Sequence, residues 1–270
     1  RRSWWSSVDR ECTARDPLLP LPSADAGTGD TMHKTSVLRS WPVLQRWLLP
    51  LRCLLCGAPG DGGMDLCADC AAEMPRNRSC CARCALPLAT TVALCGECQQ
   101  HAPPWDAAWA PFRYGWPLDR LESRFKFGRD LAAGRVLSGL WQNEPRPIER
   151  PSLLITVPLH RSRLRQRGYN QAWELARPLA RALGVPLRHD VLQRSRRTEA
   201  QTELDAVGRR RNVHGAFALC PGLAPPAHVA ILDDVMTTGA TLAECASVLK
   251  RVGVPRVDVW ALARAPLRQE

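Results

Sequence analysis

Val229-Ala230-Ile231-Leu232-Asp233-Asp234-Val235-Met236-Thr237-Thr238-Gly239-Ala240-Thr241 is the stretch on which the fold class turns. Its first four residues form a short apolar run of the kind found in strands buried on both faces. Two carboxylates follow at the carboxyl end of that run. Leu242, Cys245, Ala246 and Leu249 then recur at helical spacing, and Lys250, Arg251 and Gly253 supply an ending. Val257 to Leu262 gives a further apolar strand. The unit is βαβ, with its loop where open α/β sheets bind ligands.

The loop has its own chemistry. Gly239 lets the backbone approach an anion closely. Thr237, Thr238 and Thr241 offer hydroxyl donors, and successive backbone N–H groups at a helix start form an anion nest. The helix dipole adds only about 0.3–1 kcal/mol, so the aligned donors dominate. Asp233 and Asp234 would repel a phosphate aimed at them, but they suit the hydroxyls of a vicinal diol. Phosphate at one end and diol at the other describe ribose 5-phosphate. An Asp-Asp pair after a strand also occurs in phosphoacceptor domains, which do not follow it with a Thr-Thr-Gly-x-Thr nest. Val229 to Thr241 resembles the thirteen-residue phosphoribosyl pyrophosphate motif of type I phosphoribosyltransferases. The resemblance implies that Asp233 and Asp234 contact the ribose hydroxyls and that Thr237, Thr238, Gly239, Ala240 and Thr241 hold the 5-phosphate.

Upstream the dominant feature is cysteine. Cys53-x-x-Cys56, Cys67-x-x-Cys70, Cys81-x-x-Cys84 and Cys95-x-x-Cys98 form two sets of four that superpose on a shift of 28 residues. The shift also brings Leu66 onto Leu94 and Pro75 onto Pro103, marking an internal duplication. Thiolate tetrads at this spacing suit tetrahedral zinc, and a closed four-sulfur shell is structural rather than catalytic. Units this small bury little apolar surface, so metal binding, on the order of 10–16 kcal/mol, supplies their folding energy. A disulfide or redox role is the competing reading, weakened by the cytosolic character of the rest of the chain. Duplication favours ligand pairing within each set of four, with crossed pairing still open. Cys80 leaves the second register ambiguous, and Cys245 falls on an apolar helix face as a core residue.

The formal charge of +11 points to anionic partners, although only three of the cations are lysines. The interval His160 to Arg211 holds thirteen arginines against five acids. Within it Arg161, Arg163, Arg165 and Arg167 alternate after the strand candidate Leu153 to Val157, and a helix is expected from Ala172 to Leu183, kinked or started late by Pro178. Trp41 to Leu55 is apolar but broken by Gln45, Arg46, Pro50 and Arg52, so it reads as a short helix and cannot span a membrane. No secretory signal is visible, and the default expectation is cytoplasmic. Residues 1–31 lack periodicity and read as a disordered tail, or as a non-native extension ahead of Met32.

In combination, Cys53-Leu54-Leu55-Cys56-Gly57, the double cysteine module, Phe125-Lys126-Phe127-Gly128-Arg129, Arg167-Gly168-Tyr169-Asn170-Gln171, Arg197-Thr198 with Gln201, Arg211-Asn212-Val213 and the acid-pair motif resemble the ComF family of competence-associated proteins, GntX-like chains included. Tyr169 stands where Phe is commoner. The resemblance implies a type I phosphoribosyltransferase-like parallel α/β domain (101–270) behind a double zinc ribbon (53–100); the short helix expected over 32–52 comes from the residues' own pattern. It also implies a part in DNA uptake during transformation.

As an enzyme, such a chain would bind phosphoribosyl pyrophosphate with Mg²⁺. The resemblance places the pyrophosphate on the backbone around Leu159, His160 and Arg161, and Arg197 on a basic loop closing over the site. The acceptor is unspecified and no general base stands out. Lys126 and Arg129 either reach the site from the preceding helical segment or, the favoured reading, form a solvated charged face. The alternative is a phosphoribosyl-ligand sensor, or a single-stranded-DNA adapter for a competence helicase, using the alternate arginines with Tyr169 and Trp173 as stacking support. A zinc-ribbon DNA-binding regulator fits less well, since Met64 to Glu73 carries three acids and no cation.

Overall fold

The computed structural model describes residues 50–90, 92–196 and 206–266. The elements are α1 (Ala68–Ala72), α2 (Gly96–Gln100), β1 (Ala107–Trp109), β2 (Phe112–Arg113), α3 (Leu118–Phe127), α4 (Leu131–Asn143), β3 (Leu153–Thr156), α5 (Arg161–Arg167) and α6 (Gln171–Leu183). They continue with β4 (Leu187–Arg188), β5 (Leu192–Arg194), α7 (Ala206–Val213), β6 (Phe217–Leu219), β7 (His228–Met236), α8 (Ala240–Arg251) and β8 (Arg256–Arg264). One sheet runs β1-β8-β7-β3-β4, with β2 also on β8, and every pairing in it is parallel. β5 and β6 form a separate antiparallel pair.

Alternation along the strands divides the core in two. Leu154, Ala230, Leu232, Trp260 and Leu262 face α3, α4 and α6. Ile155, Val229, Ile231, Val257 and Val259 face α8 and the β5–β6 pair. The connection β3–α6–β4 winds one way from the middle of the sheet and β7–α8–β8 winds the other, placing the reversal between β3 and β7. A ligand crevice is expected outside the carboxyl ends at such a reversal. It opens there because β3 stops at the pair Thr156↔Leu232, whereas β7 continues to Met236 along β8.

The cysteine duplication is a duplication of backbone. The bridges Arg52↔Pro59 and Cys80↔Pro87 are equivalent under the 28-residue shift, as are α1 and α2. So are the hydrogen bonds Gly57 N to Cys53 O (2.9 Å) and Ala85 N to Cys81 O (2.8 Å). Each knuckle turns through a left-handed residue, Gly57 at φ 80° and Ala85 at φ 54°. The two ribbons flank opposite faces of the sheet. Cys53, Leu66 and Cys67 pack with the α4 side, and Cys81, Cys84, Cys95 and Cys98 with the α8 side.

Several local expectations are revised. The arginine run, given no element from the sequence, is helical: residues 161–167 form α5, capped by His160 through its Nδ1. α6 begins at Gln171 and runs through Pro178, so there is no late start. The Glu174 carbonyl loses only the partner that proline cannot supply. Of the apolar N-terminal segment, residues 50–55 are described and are not helical.

Candidate active site at the sheet reversal

At the carboxyl end of β7 the strand's alternation sends the two carboxylates to opposite faces. Asp234 lies on the α3 side, where Lys126 Nζ stands 3.0 Å from its Oδ2 and 3.1 Å from Glu122 Oε2. Glu122 has no exposed surface. Burial lifts its carboxyl to about 7, against the opposing pull of Lys126. Burial also favours a neutral Asp234, but the Lys126 ammonium outweighs it and holds that carboxyl below its usual range. Asp233 goes the other way. Its burial and the neighbouring Asp234 charge push its pKa well up. The acid pair is therefore divided, with Asp234 anchored as an anion and Asp233 inclined to keep a proton. A carboxyl that donates as readily as it accepts suits a diol.

Past Met236 the chain turns through Thr237 and Thr238 into Gly239, at φ 75°, the N-cap of α8. A Cβ at Gly239 would lie 2.9 Å from Met236 Cε and 3.0 Å from Trp105 Cη2, so both conformation and space demand glycine. Thr238 Oγ1 accepts from the Ala240 amide at 3.3 Å and shapes the turn. Thr237, Thr238 and Thr241 are partly buried. Across the crevice, Leu159 and His160 follow the end of β3, His160 capping α5 and Arg161 opening it. The structure therefore brings Asp233, Asp234 and residues 237–241 together at the end of β7, with residues 159–161 at the end of the neighbouring strand. Arg197, with Thr198 and Gln201, lies outside the described residues.

The eight knuckle cysteines form two groups of four, Cys53, Cys56, Cys67 and Cys70, then Cys81, Cys84, Cys95 and Cys98, with the sulfurs of each group within 4.8 Å of one another. Pairing is within each set, not crossed. The Sγ–Sγ separations of 3.6 Å for Cys56–Cys67 and 3.7 Å for Cys84–Cys95 match the edge of about 3.8 Å for a tetrahedron with ~2.3 Å metal–sulfur bonds. Amides of Cys70 and Cys95 donate to the sulfurs of Cys67 and Cys81 at 3.4 and 3.3 Å, which orients and steadies thiolate ligands. Both groups fit zinc. Cys80 belongs to neither, and Cys245 is fully buried in the core.

A family model described as a double zinc ribbon domain matches residues 44–99. Competence protein F of Haemophilus influenzae is 38% identical over 178 residues, which is 63% of this chain and 78% of that protein. DNA utilization protein YhgH of Escherichia coli O157:H7 is 36% identical over 223 residues, 80% of this chain and 98% of that one. The chain belongs to the ComF family. Competence protein ComFC of Streptococcus pneumoniae is 26% identical over 155 residues, 57% of the chain and 67% of that relative. Among solved structures, a glutamine phosphoribosylpyrophosphate amidotransferase from B. subtilis, complexed with ADP and GMP, aligns at TM-score 0.33 and 18% identity, over 48% of this chain and 26% of that one. A purine phosphoribosyltransferase from Pyrococcus horikoshii aligns at TM-score 0.25 and 16% identity, over 57% of this chain and 91% of that one.

Two readings change in this ComF-family chain, that of Lys126 and that of the Tyr169–Trp173 pair. Lys126 is not on a solvated face: its side chain is only 16% exposed and locked between two carboxylates. Arg129, by contrast, is exposed and donates to the Gln166 carbonyl at 2.7 Å. The sequence did carry a signal for Lys126. Leu118, Leu121 and Phe125 define the buried stripe of α3, and Glu122 falls inside it. A glutamate there requires a cation one turn away, and Lys126 is that cation. Tyr169 and Trp173 are also engaged within the fold. Tyr169 donates its hydroxyl to the Phe125 carbonyl, and Trp173 meets His189 edge-on at 4.8 Å.

Proposed function

We propose that this ComF-family chain binds a ribose 5-phosphate group, carried by phosphoribosyl pyrophosphate, in the crevice between β3 and β7, and that it acts as a phosphoribosyltransferase in a process of DNA uptake or use. The observation that carries the reading is the divided acid pair beside a glycine-forced anion turn at the sheet reversal. In this scheme residues 237–241 hold the 5-phosphate through main-chain amides and threonine hydroxyls. Asp233 and Asp234 take the ribose hydroxyls, with Lys126 fixing the rotamer and charge of Asp234. Backbone at Leu159, His160 and Arg161 receives the pyrophosphate, and Arg197 supplies a further cation there. Among the described residues the only clusters with metal-ligand geometry are the cysteine tetrads. Magnesium brought in with the pyrophosphate would neutralise the leaving group's charge. Residues 53–100 serve as the ribbon scaffold and 101–270 as the ligand-binding domain.

The names of the relatives, competence protein F and DNA utilization protein, support the cellular setting. A non-catalytic adapter on single-stranded DNA is the second reading, favoured by the exposed Arg161 and Arg165 one turn apart on α5. It loses Tyr169 and Trp173 as a free stacking pair. The deciding experiment is calorimetric titration of phosphoribosyl pyrophosphate with Mg²⁺ into zinc-replete protein, alongside an assay for pyrophosphate release with candidate bases. Binding that drops at least about tenfold in Asp234→Asn, the loss of one charge-assisted contact, supports the site. Absence of binding in the wild type defeats the proposal. Binding without release for any base, together with DNA affinity lost in Arg161→Ala/Arg165→Ala, selects the adapter.

A further inference from the structure

We propose that the second cysteine knuckle is a brace for the anion-binding turn, and that Arg264 is the positioning residue through which it acts. The proposal rests on the ribose-phosphate reading for its consequence but not for its geometry. Arg264 ends β8, opposite Met236 at the end of β7, and is 4% exposed. Among the described residues its guanidinium donates only to main-chain carbonyls. Nε reaches Cys84 O at 3.1 Å, and Nη1 reaches Met236 O at 3.1 Å, Ala265 O at 2.8 Å and Thr237 O. One planar group thus ties a metal-ligating residue to the first residues of the turn. A second tie leaves the adjacent carbonyl. Trp105 Nε1 donates to Arg83 O at 2.6 Å, while its ring fills the space against Gly239. Consecutive carbonyls of the knuckle, 83 and 84, therefore hold the two ends of residues 236–239.

The choice of arginine follows from charge as well as shape. A buried guanidinium ordinarily takes a carboxylate partner. Among the described residues, no carboxylate bonds to Arg264. The nearby negative groups are the sulfurs of Cys84, Cys95 and Cys98. With zinc bound, the four thiolates would carry a net charge of about −2, a counter-ion for Arg264. Rigid forked donors suit four carbonyl contacts in a way an ammonium cannot match. The first ribbon offers a different arrangement. Its knuckle carbonyl Leu54 O accepts from Arg124 on α3 at 2.7 Å, on the other face of the sheet from the turn.

The test compares the full-length zinc-replete wild type with Arg264→Lys, Trp105→Phe and the matched control Arg124→Lys. Zinc content, local amide exchange over residues 236–241, and affinity for ribose 5-phosphate are measured on each. Arg264→Lys and Trp105→Phe are expected to keep two zinc ions per chain and the wild-type circular dichroism. Both should speed exchange over 236–241 and weaken ribose 5-phosphate binding roughly tenfold, while Arg124→Lys changes neither. Wild-type exchange rates at 236–241 in Arg264→Lys would overturn the brace, as would equal loosening by Arg124→Lys. The exchange measurement needs no ligand, so a wild type that fails to bind ribose 5-phosphate sinks the proposed function and leaves the brace to be judged by exchange alone.

Discussion

Gly239 and Glu122 mark the limits of what one residue reveals about itself. Gly239 was legible, because a loop that must approach an anion at a helix start has few alternatives. Gly239→Ala should lose ribose-phosphate binding and cost about 2–4 kcal/mol, from a left-handed alanine plus the collision with Met236 and Trp105. Urea titration with and without ligand checks both. Glu122 was not legible as a buried acid until its place on the α3 stripe was considered. Its folded carboxyl lies at about 7 against an ordinary value of 4.5. A raised acid binds its proton more tightly in the folded state, so its contribution is present in full below the ordinary value and is lost as pH rises through 7. Glu122→Gln should therefore flatten the stability profile between about pH 4.5 and 7, removing a decline on the order of 3 kcal/mol. An unchanged slope in denaturation curves across that range would show that Glu122 is not the group responsible.

At the scale of elements, periodicity located strands and helices well and their ends poorly. The apolar run marked β7 as ending at Leu232, because carboxylates rarely sit inside a buried strand. The ladder persists to Met236 because β8 keeps pairing on one side after β3 has stopped. That asymmetry carries Asp233 and Asp234 past the end of β3 to the edge of the crevice, and it depends on a partner strand far away in sequence. α5 was missed for a related reason: alternating arginines carry no apolar stripe, so nothing in the local pattern favours a helix over a loop. The seating of α3, which carries Lys126, on α4 can be tested directly. A Cβ at Gly134 would stand 2.5 Å from Phe125 Cε2. Gly134→Ala should push α3 outward, cost about 1–3 kcal/mol by overpacking and weaken the Lys126–Asp234 pair. Thermal melting and the amide shift of Asp234 would report the two effects separately.

For the molecule as a whole, the duplication was readable from spacing alone, but the placing of its halves on opposite faces of one sheet was not. No local pattern encodes which side of a sheet a module will cover. Cysteines of both ribbons join the two main clusters of buried side chains. Stripping zinc with a strong chelator should accordingly lower the melting temperature of the entire chain by about 10 °C or more, as one cooperative transition, with two ions released per chain. Calorimetry showing an undisturbed main transition would mean that the ribbons fold and melt by themselves. The parallel sheet carries a further consequence. β1 and β2 leave the ribosome well before their partner β8, which lies far along the chain. A nascent chain must hold these two strands unpaired until β8 has been made, and such waiting edges invite aggregation. A metal-stapled ribbon at the front of the chain gives those strands an early folded anchor, so zinc supply during synthesis should govern how much protein is recovered in soluble form.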